Sequence, residues 1–191
     1  MSNNIQQQTT INIQEKANLI WAIADKLVGV YKPHEYGNVI LPMCVIKRFE
    51  DTLAPTKQAV LDTNAKLDKD GIVVKKGFLE TAAGQQLYNL SPFTFQSLLN
   101  DPENIKENFE SYLNHFSENV IDIIHRMDFD RELQKMADNN VLYLVIKEFC
   151  TSKAYLGADL VTSVDMGYIF EELVRKFSES YDEQAGAHFT A

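Results

Sequence analysis

Three groups of residues in this 191-residue sequence have types and spacings that could support chemistry. Asp122 and His125 lie at positions i and i+3, so on a helix both could approach one metal ion, although a solvated helix face is the alternative. The basic pairs Lys47-Arg48 and Lys75-Lys76 could contact phosphate groups, or they could be plain surface. No second carboxylate-histidine pair completes a metal site, and we therefore predict none.

The third group is the segment Gly186, Ala187, His188, Phe189, Thr190 and Ala191. We predict that the chain leaves a helix through the glycine, which lets the backbone approach a ligand closely while the threonine offers a hydroxyl. A disordered tail is the alternative interpretation. Phosphate-binding glycine loops, the zinc motif of metalloproteases and the nucleophile elbow are missing from the sequence.

Two further features concern side chains outside these groups. Tyr31, His34 and Tyr36 surround Pro33 in a segment that reads as a loop, which favours a partner interface over the core. Cys44 and Cys150 lie in apolar stretches with no ligand at metal-binding spacing, which indicates two buried, reduced thiols.

The elements that would position these residues are helices. An apolar stripe at steps of three and four predicts a first helix from Ile13 to Val28, which Gly29 and Pro33 end. A second helix is expected to begin at an Asn38 cap, with Pro42 in its first turn. Pro55 interrupts it, and residues 59–67 continue as a short helix.

The remaining helices follow from caps and periodicity. Capping residues before prolines predict helix starts at Ser91-Pro92 and at Asp101-Pro102, the second running to about Phe116. Further helices are expected after Ser117, from Asp130, over 141–149 and after a Ser163 cap. The run 141–149 also suits a buried strand by period alone, but the spacing of its apolar residues favours helix.

One short β-branched piece, within residues 68–77, is flanked by turn residues and predicts a loop or small hairpin. The sum is an all-α, bundle-like domain of roughly eight helices with at most one β-hairpin near residues 70–77. We divide the chain into a flexible lead-in at 1–13, a helical domain at 14–181 and a linker at 182–191.

Composition fits one globular domain, because 45% of the residues are hydrophobic and 24% are charged. The net charge of -9 disfavours a protein that wraps nucleic acid on its own. The charge is uneven, at +1 over residues 1–60, -3 over 61–110 and -7 over 111–191, so an anionic partner should meet the first third. No apolar run is long enough to span a bilayer and no secretory signal is visible, so we expect a cytoplasmic protein without membrane contact.

Several separated blocks of the sequence resemble, in order, the opening of the modification subunit of type I restriction-modification systems. The blocks are residues 17–27, 36–42, 47–49, 116–120, 129–130, 142–145 and 166–177. The resemblance implies a helical domain in front of an adenine N6 methyltransferase domain that uses S-adenosylmethionine. Residues 186–190 are similar to the family's first cofactor-binding segment, in which Ala191 stands where the family has proline.

The resemblance also implies partners and roles. We expect a specificity subunit, a restriction subunit and a second modification subunit, with double-stranded DNA bound through the assembly. The helical domain would be an assembly and DNA-clamp module whose contact residues include Tyr31, His34, Tyr36, Lys47 and Arg48. The family's catalytic motif is missing, so we assign no catalytic residue and expect these 191 residues alone to be inactive.

The competing hypothesis is a self-contained helical interaction or regulatory protein without catalytic activity. The reading frame after codon 191 discriminates the two, because a glycine-rich cofactor loop and an Asn-Pro-Pro-Phe-like motif would decide for the methyltransferase.

Overall fold

A computed structural model describes the backbone of residues 2–189 and the side chains of residues 12–179. Helices connected by short loops and 3₁₀ turns make up this part of the chain, which contains two isolated β-bridges but no strand. The prediction of an all-α domain is therefore confirmed. The helices are α1 (Ser2–Ala22), α2 (Tyr36–Leu53), α3 (Lys57–Lys69), α4 (Lys76–Ala83), α5 (Phe95–Leu98), α6 (Ile105–Asn114), α7 (Glu118–Arg126), α8 (Phe129–Asp138), α9 (Leu142–Phe149) and α10 (Ser163–Phe189).

The helix α2 lies at the centre of the fold and contacts both α8 and α10. Its apolar stripe is buried, as the helical spacing predicted, and includes Val39, Ile40 and Met43. Aromatic side chains fill the core beyond it: Phe109 and Tyr112 of α6 each contact Phe95 with ring centroids 5.9 Å apart, in edge-to-face arrangements. Such pairs add about 1 kcal/mol each beyond the area that they bury.

The first two helices begin earlier than the sequence indicated. The backbone of residues 2–12, expected to precede the first helix, belongs to α1, which continues as a 3₁₀ turn from Ile23 to Leu27. Gly29 then takes a φ of 87°, the left-handed conformation that suits glycine, and ends the helical run as predicted.

The expected Asn38 cap is wrong because α2 begins at Tyr36. It is preceded by a 3₁₀ turn at Pro33–Glu35, in which the carboxylate of Glu35 accepts the N–H of Lys32 at 2.8 Å. Pro42 consequently lies inside the helix rather than in its first turn. The helix tolerates the loss of one backbone hydrogen bond there, because proline has no N–H to donate.

Two other local predictions have different outcomes. Of the loop or small hairpin expected within residues 68–77, the structure shows the loop, because α3 extends to Lys69, α4 begins at Lys76 and the interval between them is too short for two strands. Ser91 does not begin a helix, because its Oγ accepts the N–H of Phe93 at 3.0 Å in a local turn. The next helix is capped instead by Thr94, whose Oγ1 accepts the N–H of Ser97 at 3.1 Å.

The later helices agree more closely with the sequence. Pro102 begins a 3₁₀ turn that leads into α6, Ser117 stands at the N-cap of α7, and residues 142–149 form a helix, not a strand. The long α10 packs against α1 and α2. Its cap is Thr162 rather than Ser163, since Thr162 Oγ1 accepts the N–H of Asp165 at 3.1 Å while the Asp165 carboxylate accepts the N–H of Thr162 at 3.0 Å.

Candidate functional site

Lys47 and Asp51 form a buried ion pair on the inner face of α2. The Lys47 residue is only 5% exposed and Asp51 only 8%. Besides its bond to Asp51, the Lys47 ammonium lies 3.5 Å from the carbonyl oxygen of Ala154. The expectation that Lys47 lies on the surface is wrong, because this residue follows buried Met43 by four positions and shares its helix face.

Arg48, the other member of the basic pair, is half-buried and binds the chain's own backbone. Its guanidinium donates to the carbonyl oxygen of Leu156 at 2.9 Å and also to that of Val161. Burial lowers the pKa of Arg48, and three acidic groups nearby, Tyr155 among them, oppose that effect. Backbone carbonyls therefore bind a side chain that was expected either to contact phosphate or to lie on a plain surface.

A third cation, Lys16 of α1, completes the set. Its ammonium donates to the carbonyl oxygen of Tyr155 at 2.8 Å and to that of Lys153 at 3.3 Å. Burial lowers the pKa of Lys16, and the charge of Lys47 lowers it further. The carboxylate of Asp51 contributes an acceptor, since Asp51 Oδ2 accepts the N–H of Leu156 at 2.9 Å.

These four side chains hold the connecting loop, which we define as residues 150–162 between α9 and α10. The loop is irregular, so its backbone carbonyls need partners from elsewhere in the chain wherever they are buried. Charged donors make the stronger hydrogen bonds of this kind. The arrangement anchors the loop to α1 and α2 and thereby fixes where α10 begins.

The two tyrosines expected at an interface lie in the core instead. Tyr31 and Tyr36 are both buried. The Tyr31 hydroxyl donates to the carbonyl oxygen of Glu132 at 3.2 Å, and the Tyr36 ring meets Trp21 edge-on with centroids 6.3 Å apart. The expectation is wrong because this stretch bends over α8 and α1, so its rings face inward. His34, between them, is exposed.

Trp21 also connects α1 to α10. Its ring lies 5.1 Å from the ring of Phe177, measured between centroids. The Phe177 ring in turn lies over Gly37, where an added Cβ would meet it at 3.3 Å. The aromatic contact thus requires a small residue at the start of α2, and it holds α10 against the helices that anchor the connecting loop.

A pocket of about 420 Å³ opens beside the ion pair. Four charged side chains line part of it, namely Lys47, Glu50, Asp51 and Lys57. The remaining lining residues are Ala54, Gln58, Leu61, Pro92, Thr94, Phe95, Gln96 and Cys150. Cys44 is fully buried, as predicted, whereas Cys150 is only half-buried; burial raises the pKa of Cys150 to about 11.

The charges of this pocket have partners within the chain. Glu50 accepts the hydroxyl of Tyr112 at 3.1 Å and the N–H of Phe95. Burial raises the pKa of Glu50, while the Phe95 N–H, the Lys57 charge and the Tyr112 hydroxyl lower it. The Lys57 ammonium donates to Asn89 Oδ1 at 3.4 Å and to the carbonyl of Phe93, and burial lowers its pKa. The pocket is therefore a polar core feature that joins α2, α3 and the segment before α5.

The segment at residues 186–189 is helical. The helix α10 continues through Phe189, so the expected exit through Gly186 is not found. Gly186, Ala187, His188 and Phe189 are placed by their backbone alone, and Thr190 and Ala191 lie outside the described residues. A helical backbone through a glycine is sterically permitted, which is why the glycine by itself does not fix the end of the helix.

Asp122 and His125 are both exposed on α7, and among the described residues no cluster of three or more potential metal ligands occurs. Lys75 is bound to Asp68 and to Asn64, the latter at 3.0 Å, whereas Lys76 is exposed. No helix within the described residues combines the length and hydropathy that a membrane span needs.

A sequence profile described as HsdM N-terminal domain matches residues 16–149. The chain belongs to this family. HsdM is the modification subunit of type I restriction-modification systems, so the resemblance seen in the sequence is confirmed. Comparisons with curated proteins and with solved structures give no match. The matched range of this HsdM domain contains Lys16, Lys47, Arg48 and Asp51, whereas the connecting loop and α10 follow it.

Sequence reasoning missed several residues of the HsdM domain that organise this region. Lys16, Glu50, Asp51 and Lys57 received no role, although Glu50 follows buried Met43 by seven positions and Ile46 by four. A charged residue on an apolar helix stripe is a signal that it has an internal partner. The partners of Glu50 could not be read from spacing, because Phe95 and Tyr112 lie 45 and 62 positions further along the chain.

Proposed function

We propose that this chain is the assembly module of an HsdM modification subunit. The family match over residues 16–149 carries the proposal. As a whole, that subunit transfers the methyl group of S-adenosylmethionine to adenine N6 in double-stranded DNA, in a complex with a specificity subunit, a restriction subunit and a second modification subunit. The module supplies contacts, in the cytoplasm, and no catalytic group.

The surface that we assign to assembly is the outer face of α10. Leu160 just before the helix, and Val164, Tyr168 and Val174 on it, are exposed apolar residues. They lie opposite the buried stripe of Met166, Ile169 and Leu173. Val164 and Tyr168 lie one helical turn apart, and exposed apolar neighbours of this kind mark protein interaction sites. The exposed His34 belongs to the proposed contact surface as well, on the basis of its position in the sequence-predicted interface.

The other expected contact residues take an indirect role in this proposal. Tyr31, Tyr36 and Lys47 are buried and Arg48 binds the connecting loop, so they act by holding α10 and its outer face in place. Phosphate is not their partner in the proposal. DNA is reached through the assembly, where the net charge of -9 on this chain is offset by other subunits.

The described residues do not by themselves form a binding site for S-adenosylmethionine. Residues 186–189 continue α10, so they do not form the turn that close backbone approach to a cofactor needs, and no sheet occurs among the described residues. We therefore derive no step through the cofactor. In the proposal, Gly186 to Ala191 lead into the part of the subunit that binds it.

A methyl-transfer assay tests the proposal. We expect the full subunit, combined with its specificity subunit, to transfer label from S-adenosylmethionine to unmethylated DNA that carries the target site, and the 191-residue chain to give only background. Label transferred by the chain alone would refute the division of roles. A full-length reading frame without a methyltransferase domain would instead support the self-contained interaction module.

A further inference from the structure

The segment Ile72-Val73-Val74, between α3 and α4, exposes its apolar side chains to an unusual degree. Val73 is 88% exposed and Val74 82%, the highest values among the large hydrophobic residues of the described chain. Phe78, in the first turn of α4, is also exposed. Valines this exposed contribute no buried apolar area to the fold, and exposed apolar side chains that adjoin one another can mark a site that another molecule covers.

The backbone of the same segment lacks internal partners. The N–H of Ile72 donates to Leu67 at 2.9 Å and the carbonyl of Lys75 accepts the N–H of Leu79 at 3.0 Å. Between these two bonds, Val73 and Val74 form no backbone hydrogen bond with any other described residue. Residues 72–75 contain no turn or bend, and β-branched side chains favour an extended backbone.

Both ends of the segment are fixed. Ile72 packs against the hydrophobic core, and the ammonium of Lys75 binds Asp68 together with Asn64 of α3. The unpaired backbone N–H and C=O groups of Val73 and Val74 therefore lie between two fixed residues, Ile72 and Lys75. A partner strand would lose less conformational entropy in docking here than on a free loop.

The charges around the segment differ from those of the whole chain. Residues 66–76 contain four lysines and two aspartates, a local net charge of +2 in a chain of -9. The ammonium of Lys76 is largely exposed, and its one acidic neighbour among the described residues, Glu80, lies at the long distance of 4.0 Å. A phosphate backbone would use the lysines but leave the valines and the free N–H groups unmatched, whereas an extended acidic peptide matches all three features.

We propose that residues 72–74 are a docking edge for an extended acidic peptide segment of another protein, which pairs with them as a β-strand. The main-chain bonds would supply affinity, apolar side chains of the peptide would cover Val73 and Val74, and an acidic residue would meet Lys76. This edge is independent of methyl transfer and goes beyond the assembly role of α10.

The test uses the 191-residue chain, amide NMR shifts and end-blocked probe peptides. With the probe Glu-Val-Thr-Val-Glu, we expect saturable shifts confined to residues 71–78 at probe concentrations up to about 1 mM, an affinity typical of a short, weak interface. A probe with proline at its centre should bind at least about tenfold more weakly because it lacks a main-chain donor. A probe with lysine at both ends should also bind more weakly.

Two variants of the chain serve as a matched pair. Val74→Pro removes an N–H that has no internal partner, so the fold should persist while probe binding falls at least about tenfold. Val74→Thr keeps both the N–H and the β-branched shape and should bind as the parent chain does.

Absence of shifts at the highest probe concentration would overturn the proposal, as would equal binding by the proline and lysine probes. Shifts of residues 71–78 that depend on the concentration of the chain alone would assign the edge to a second copy instead. Equal shifts with a single-stranded oligonucleotide would assign it to nucleic acid.

Discussion

The guanidinium of Arg48 donates to the carbonyl oxygen of Leu156, 2.9 Å away and 108 positions further along the chain. This bond joins the matched HsdM range to the loop that follows it. Lys16 and Lys47 make parallel contacts to neighbouring carbonyls. Side chains of α1 and α2 therefore fix the loop at residues 150–162 and with it the point at which α10 begins.

Arg48→Gln should destabilise the chain by about 2 kcal/mol, because the carbonyls of Leu156 and Val161 lose a charged donor. Urea unfolding followed by circular dichroism measures the change, and hydrogen exchange should become faster in residues 150–162. Arg126→Gln is the control: Arg126 is exposed on α7 and its loss should change stability by less than about 0.5 kcal/mol. Equal effects of the two variants would contradict the anchoring role.

Lys47→Met should cost about 3 kcal/mol, since it leaves the carboxylate of Asp51 buried without its cation. The double variant Lys47→Met with Asp51→Asn should cost less than the sum of the two single variants, by at least about 1 kcal/mol. Strict additivity in this double-mutant cycle would show that the pair does not interact.

Glu50 should make stability depend on pH. Burial is the main effect that raises its pKa in the folded chain above the unfolded value near 4.5, so the folded state binds the proton more tightly. The stabilisation from this group is then fully present below the unfolded pKa and is lost as the pH rises through the folded pKa. The free energy of unfolding of the parent chain relative to Glu50→Gln should accordingly fall as the pH rises above the unfolded value near 4.5. A relative stability that rises over this range would contradict the direction.

Gly37→Ala should disturb the contact between Trp21 and Phe177, because the added methyl group meets the Phe177 ring at 3.3 Å. Trp21 is the only tryptophan in the sequence, so its fluorescence reports on this contact directly. We expect a shifted emission maximum and a loss of about 1 kcal/mol in stability. Gly77→Ala in α4, where a Cβ would meet nothing within 4 Å, should leave the emission unchanged and stabilise the helix slightly.

The helical spacing of apolar residues was sufficient to predict an all-α fold, because the helices of this domain bury continuous apolar stripes such as Val39, Ile40 and Met43. At residues 68–77 the β-branched valines left a loop and a small hairpin open, and the loop is found because the chain offers no partner strand among the described residues. The β-propensity was local, whereas a strand requires pairing.

The site was less predictable for a different reason. The sequence singled out Lys47 and Arg48 as a basic pair. A basic residue type does not indicate whether its side chain binds phosphate or a carbonyl oxygen of its own chain. The deciding contacts, to Ala154 and Leu156, cross more than 100 positions and depend on how α10 folds back onto α1. The position of Lys47 on the buried face of α2 was the one local clue.

The outer face of α10 supports a prediction about assembly. Replacing Val164, Tyr168 and Val174 together with glutamate should leave the helical content unchanged, because all three side chains are exposed. Binding of the specificity subunit should weaken at least about tenfold, since a desolvated apolar patch would become charged. Ile123→Glu, on the exposed face of α7, is the matched control and should bind normally.

Size-exclusion chromatography with light scattering tests most directly whether this HsdM domain is an assembly module. The 191-residue chain, mixed with the specificity subunit of the same restriction-modification system, should elute as a complex whose mass is the sum of the two components. Elution of the two proteins as separate species, with the Trp21 emission of the chain still that of its folded state, would contradict the claim.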